Sequence, residues 1–122
     1  MAFTKIPEGF VYSAVAGENL SAKLNFLGNI HTDGTITLAV AGEIGFPIIE
    51  AAASGSPVTI QIGGIGKATA GGSFNAGVDL ASDANGKLVT AGSGVAVVGH
   101  SLQVSGGDGE VVSYIIAVAP SP

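Results

Sequence analysis

Asp33-Gly34-Thr35-Ile36-Thr37-Leu38-Ala39-Val40 sets a turn dipeptide directly before a run that alternates β-branched and apolar residues. Asp-Gly is a pair that type I′ hairpin turns favour, because both central residues need positive φ. The run that follows, Thr35 to Val40, has the period-two rhythm of a strand with one face in a core. Asn85-Gly86-Lys87-Leu88 repeats this turn-then-strand order, and Val58 to Ile62 (VTIQI) is a second short β-branched run. Gly106-Gly107-Asp108-Gly109 is a further turn that feeds Val111 to Val118. The 20 glycines punctuate the chain every few residues, which leaves little room for a long helix. Ile49 to Ala53 (IEAAA) has local helix propensity, but it is too short to stand alone. These patterns predict a mainly β fold, a compact antiparallel barrel or sandwich of roughly eight to ten short strands.

The chain also reads as two related halves. Ala14 to Ala22 (AVAGENLSA) lines up with Ala68 to Ala76 (ATAGGSFNA) at an offset of 54 residues. Asp33 to Ile36 lines up with Asn85 to Leu88 at 52, and Ile48 to Ile62 with Ser101 to Ile115 at 53. An internal two-fold repeat is therefore expected, with halves at about 10–66 and 67–119 inside one domain spanning 10–119. Residues 1–9 have no counterpart in the repeat and carry Pro7, which fixes φ and favours extended backbone before it. They are expected to form an extended N-terminal arm, and Pro120-Ser121-Pro122 a tail that cannot continue a ladder.

Charge content is the most unusual feature of the composition. Charged residues make up 11% of the 122 residues, against about 25% in a typical domain. Apolar residues reach 47% and the mean hydropathy is +0.56. The longest apolar stretch, Val111 to Ala119, is interrupted by Ser113 and falls short of the ~20 residues a spanning helix needs. Pro7 and Glu8 stand where a signal peptide would carry its apolar region. A protein with so few charges over its exterior is expected to keep much of that exterior against other protein. The bases are Lys5, Lys23, Lys67 and Lys87, with no arginine, and the net charge is −5. Phosphate and base-edge recognition draw on basic clusters and arginine forks. Neither nucleic acid nor an anionic membrane is an expected partner.

No motif reads as a catalytic site. Cysteine is absent, so disulfides, thiolate metal sites and cysteine nucleophiles are absent with it. Gly63-Gly64-Ile65-Gly66-Lys67 superficially suggests a phosphate loop, but Gln61 and Ala68 stand where the pattern needs Gly and Ser/Thr. Ser93 lies in Gly92-Ser93-Gly94, flanked by Ala91 and Val95 instead of the outer glycines of a nucleophile elbow. The only histidines are His31, beside the Asp33-Gly34 turn, and His100. A Ser101/His100/Asp108 triad is opposed by strand geometry, because adjacent residues point to opposite faces. Asp33, Asp79, Asp83, Asp108 and Glu110 mostly adjoin glycine turns, which suits turn formers better than paired glycosidase carboxylates. Ala81 breaks the calcium-loop pattern before Gly86. No cofactor and no metal is expected, and the chain is expected not to be an enzyme.

The order and spacing of several segments resemble the small capsid decoration, or cement, proteins of tailed phages. They are Ala16 to Ala22 (AGENLSA), the Asp33-Gly34 turn, Pro47 to Ala53 (PIIEAAA) and Gly55 to Gln61 (GSPVTIQ). Ala70 to Gly72, Ala81 to Thr90 (ASDANGKLVT) and Gly109 to Val112 follow, so the likeness runs from Phe10 to Val118. Gly99-His100-Ser101-Leu102 departs from it, standing where such proteins often have a plainer apolar run. The resemblance implies a non-enzymatic virion protein, made in the host cytoplasm and seated on the exterior of the capsid. It implies a homotrimer that bridges capsomers of the major capsid protein and stabilises the head. It also implies that the arm contacts the shell or a neighbouring subunit, with Phe3, Lys5, Ile6, Pro7 and Phe10 as the contact residues. A small carbohydrate-binding β module is the competing class, but the chain has no Trp and only Tyr12 and Tyr114 as tyrosines. Another tail or head–tail component is a third reading.

Overall fold

Short alternating runs divided by glycine turns give ten strands in the computed structural model, which describes residues 11–119. The first five are β1 (Val11–Val15), β2 (Leu27–Ile30), β3 (Ile36–Leu38), β4 (Phe46–Glu50) and β5 (Pro57–Gln61). They form one antiparallel sheet in the order β1-β5-β4-β2-β3. The next five are β6 (Ile65–Thr69), β7 (Asp79–Ser82), β8 (Leu88–Thr90), β9 (Val97–Ser101) and β10 (Val111–Ala119). Their antiparallel sheet runs β6-β10-β9-β7-β8. The chain changes sheet between Gln61 and Ile65, and no helix occurs among the described residues.

The two sheets follow the same path through their strands. Each also curls until its end strands meet. Ala16, just beyond β1, makes an isolated parallel bridge to Ile36 in β3, and Ala70, just beyond β6, makes one to Leu88 in β8. Gly17 N–H donates to Ile36 O (2.9 Å) and Gly71 N–H to Leu88 O (2.7 Å) at these seams. In the first half the Glu18 carboxylate continues the seam, accepting Leu38 N–H at 2.8 Å. Each sheet is thus a small barrel-like unit around its own interior.

The glycine turns are in place, but their type differs from the type I′ expected for Asp33-Gly34 and Asn85-Gly86. Gly34 and Gly86 have φ of 88° and 70°, whereas Asn25 is the one described non-glycine residue with positive φ. Gly34 N–H donates to His31 O at 2.9 Å and His31 N–H to Thr35 O at 2.7 Å. Asp83, Gly86 and Lys87 repeat that pattern. This is the three-residue hairpin, a turn followed by one left-handed residue that widens the ladder. Only the glycine needs the left-handed region, and the aspartates serve by side-chain bonding. Asp33 Oδ1 accepts Thr35 N–H at 3.0 Å, and Asp83 Oδ1 accepts those of Asn85 and Lys87 at 2.8 and 2.9 Å.

Ala16, Leu20, Ile36, Ile48, Val58 and Ile60 fill the first unit. The second is filled around Phe74, Leu80, Leu88, Val98, Val112, Tyr114 and Ile116, and it also takes in Leu27 and Ala39 from the first half. Phe46 packs against both clusters. Full burial of a residue such as Leu27 is worth about 1.5–3 kcal/mol, so the shared residues join the units strongly. Backbone bonds complete the junction. Leu27 N–H donates to Gly86 O at 2.8 Å, and Thr69 N–H to the carbonyl of Asn25 at 2.7 Å. Pro47 lies over Gly66 so closely that a Cβ there would be 3.0 Å from Pro47 Cγ.

Candidate functional site

The residues expected to contact capsid or subunits, Phe3, Lys5, Ile6, Pro7 and Phe10, lie outside the described residues. The body of the protein shows how the other candidates are used. Ser101 and His100 point to opposite sides of β9: Ser101 is buried and His100 exposed. Ser101 Oγ donates to Asn75 O (2.7 Å) and accepts Val78 N–H (3.0 Å), so it pins a loop from inside. His100 Nδ1 lies 2.6 Å from Asp79 Oδ1 across the β7–β9 pair, with both side chains about half exposed. Asp108 pairs instead with Lys87 Nζ at 2.9 Å. Ser101, His100 and Asp108 therefore do not come together.

His31 lies 3.6 Å from Asp33 on the exposed turn. The Asp33 carboxyl is held below its usual range, first by the Thr35 hydroxyl, which donates to it, and then by Thr35 N–H. Most of the described carboxylates are engaged in backbone capping and pairing. Glu18 and Asp33 accept backbone N–H groups, as do Glu43 from Val40, Asp83 from Asn85 and Lys87, and Glu110 from Gly106. Asp79 and Asp108 pair with bases. No group of three or more His, Cys, Asp or Glu side chains arranged for a metal ion occurs among the described residues.

The glycine-rich Gly63 to Lys67 segment turns from one sheet into the other and leads into β6, not into a helix. The Gln61 amide donates to the carbonyls of Gly63 and Ile65, each at 2.9 Å, which fixes the loop from its own side chain. Tyr114 is wholly buried in the second core, and its hydroxyl has no hydrogen-bond partner among the described residues. Burial pushes the pKa of this phenol above the usual 10.0. Sequence reading missed this tyrosine and the Asp79–His100 pair. The signal for the pair was the register of two strands far apart in the chain, which no local pattern carries.

Recognition surface is what the arrangement offers. Ile65 and Ile115 stand directly opposite each other on the outer face of β6 and β10, both exposed, and His100 follows across the next strand. In the first half Val11 and Val15 are exposed on the corresponding face of β1, and Tyr12 and Ile62 are exposed on the other side of that edge. Exposed apolar side chains of this number on a weakly charged body suit contact with protein. No helix among the described residues is long and apolar enough to cross a membrane.

The fold defines a class: all-β proteins built from two five-stranded antiparallel sheets in tandem. Among solved structures, the chain is similar to the head fiber gp8.5 N base of bacteriophage phi29, with a TM-score of 0.66 and 18% sequence identity. The match covers 88% of this chain and 92% of that one, so the likeness includes both sheets. No family model matches the sequence, and no curated protein matches it.

Proposed function

We propose that this chain is a non-enzymatic structural protein of a phage head, bound to the outside of the shell as a homotrimer. In this reading it bridges capsomers of the major capsid protein and stabilises the head. It is made in the host cytoplasm and has neither nucleic acid nor membrane as partner. The observation that carries the reading is the fold shared over nearly its whole length with a phage head fiber base. The sequence resemblance to decoration proteins and the sparsely charged, apolar exterior support it.

Energetics give the arm a part to play. Ordering the nine residues before Phe10 costs on the order of 10 kcal/mol at about 1–2 per residue. Burying Phe3, Ile6 and Phe10 returns about 1.5–3 kcal/mol each, so a single arm is marginal. Backbone bonds to a strand edge add to this, and three arms on one body add effective concentration. Removing Met1 to Gly9 is expected to leave a folded protein that no longer co-sediments with purified heads. Full occupancy by the truncated chain would defeat this role for the arm.

The name of the structural neighbour favours a second reading, in which the body is a mount for a fibre. Copy number in purified particles, counted by mass spectrometry, separates the two. Copies close in number to the major capsid protein mean decoration, and far fewer mean a fibre base or a vertex part.

A further inference from the structure

The junction inside the chain uses one face of each half and leaves the corresponding faces open. Strand registers identify the equivalent positions. Gly66 pairs with Tyr114 in the second sheet as Tyr12 pairs with Ile60 in the first. Pro47 pairs with Leu27 as His100 pairs with Asp79. Inside the chain, Pro47 of the first half lies over Gly66 of the second, which also lies against the Ile116 side chain. Nothing in the chain's described residues covers their counterparts. Ile62 is 43% exposed where Ile116 is 8%, Tyr12 is exposed where Gly66 is buried, and His100 is exposed where Pro47 is buried.

The backbone bonds of the junction have open counterparts as well. Thr69 N–H donates to Asn25 O, and Leu27 N–H to Gly86 O. Val15 stands in β1 where Thr69 stands in β6, and Gly34 closes the first hairpin as Gly86 closes the second. Gly77 takes the place of Asn25: Asn25 N–H donates to Ile48 O and Gly77 N–H to Ser101 O. Asp79 takes that of Leu27: Ala39 N–H donates to Leu27 O and Ala91 N–H to Asp79 O. The outer edge of β6 is thus met by the first half, and no described residue covers the same edge of β1. An uncovered edge beside exposed apolar side chains is a template for another chain.

We infer that the halves are two copies of one unit, and that the Asp79–His100 face of one chain receives the β1 edge of a second copy, with Tyr12 and Ile62 on one side of that edge and Val15 on the other. The contact between chains then repeats the contact within each chain. Val15 N–H meets Gly77 O, Asp79 N–H meets Gly34 O, and His100 lies over Tyr12. Because the two faces differ, the contact is head-to-tail, which closes into a ring when the rotation allows. This deepens the head-protein reading, on which it rests for its setting, by naming the surface through which copies associate.

The absence of cysteine makes the test clean. Tyr12→Cys and His100→Cys are made as two separate variants, both at exposed positions. Mixed and oxidised without any heads present, they should give a disulfide dimer that neither variant forms alone. The double variant should give a covalent multimer whose mass matches that of the native protein by light scattering. Val15→Asp, with folding checked by circular dichroism, should reduce that native mass to a monomer. Failure of the mixture to cross-link, equal cross-linking by either single variant, or a monomeric native protein would each overturn the inference. So would cross-linking that appears only when Met1 to Gly9 are removed, which would assign the face to the chain's own arm. Head co-sedimentation is measured separately. Binding without cross-linking removes this contact and leaves the head reading, whereas a cross-linked ring that ignores heads does the reverse.

Discussion

The two halves run the same strand path yet fill their interiors from opposite sides. In the first, Ile48 on β4 is large and Gly28 on β2 is small, so close that a Cβ on Gly28 would lie 3.2 Å from Ile48 Cγ1. In the second, the positions are reversed: Ser101 on β9 is small and Leu80 on β7 is large and fully buried. Phe46 contributes a ring to the first core, and at the matching place on β9 stands Gly99, beneath the Tyr114 ring. The lesson is that the backbone sets the volume to be filled and leaves open which strand fills it. Residue-by-residue identity between the halves is accordingly modest even where the strands correspond.

Gly99→Ala is the strongest way to break this pattern. Its Cβ would meet the Ile115 carbonyl oxygen and two Tyr114 ring carbons at no more than 2.7 Å. One obstacle is backbone, so the loss is expected at the upper end of overpacking, about 3 kcal/mol, read from the urea midpoint. A loss below about 0.5 kcal/mol would show that the second core is loosely filled.

Tyr114→Phe sharpens the comparison from the other direction, because the first core has Ile60 there and carries no such hydroxyl. Removing an unsatisfied buried hydroxyl is expected to stabilise the protein by about 1–2 kcal/mol. The pH dependence has a definite sign. Burial raises the folded pKa above the unfolded value near 10.0, so the unfolded chain gives up its proton first. The stability tied to the protonated phenol is complete below that unfolded value and is lost as pH climbs past it. Alkaline unfolding curves of wild type and Tyr114→Phe should therefore diverge only on the basic side.

The smallest effect concerns the hairpins. Asp33 is exposed, and the Thr35 bonds hold its pKa below the ordinary carboxylate value. Its contribution is present above the unfolded value of 3.8 and lost as pH falls through the lower folded one. Asp33→Ala should lower Tm slightly at neutral pH and converge with wild type in strong acid.

Much of the fold was legible in the sequence because its signals are local. Turn glycines at Gly34, Gly86 and Gly109 all take positive φ, and Val58 to Gln61 and Val111 to Val118 lie in strands. The turn type was not legible, since Asp-Gly and Asn-Gly serve both hairpin classes and the choice rests on the φ of the residue before the glycine. The strand registers also set Val58 against Val112 and not Val111, one residue from the alignment of the halves, because the second glycine loop is longer. Of the candidate site, adjacency alone separated Ser101 from His100, as strand geometry requires. The Asp79–His100 pair and the covered and open faces depend on which strands become neighbours, and no spacing along the chain encodes that.

The seams at Ala16–Ile36 and Ala70–Leu88 bear on a hazard that every short-stranded, weakly ionised β protein meets during synthesis. Unpaired strand margins recruit other chains into fibrils, and charge usually guards against it. With little charge to use, this protein guards itself by shape: each sheet folds round onto itself, and its seam strands β3 and β8 are only three residues long. Closure at the seams leaves fewer strand margins open to such recruitment, and the margin still open on β1 is the one assigned above to a second copy.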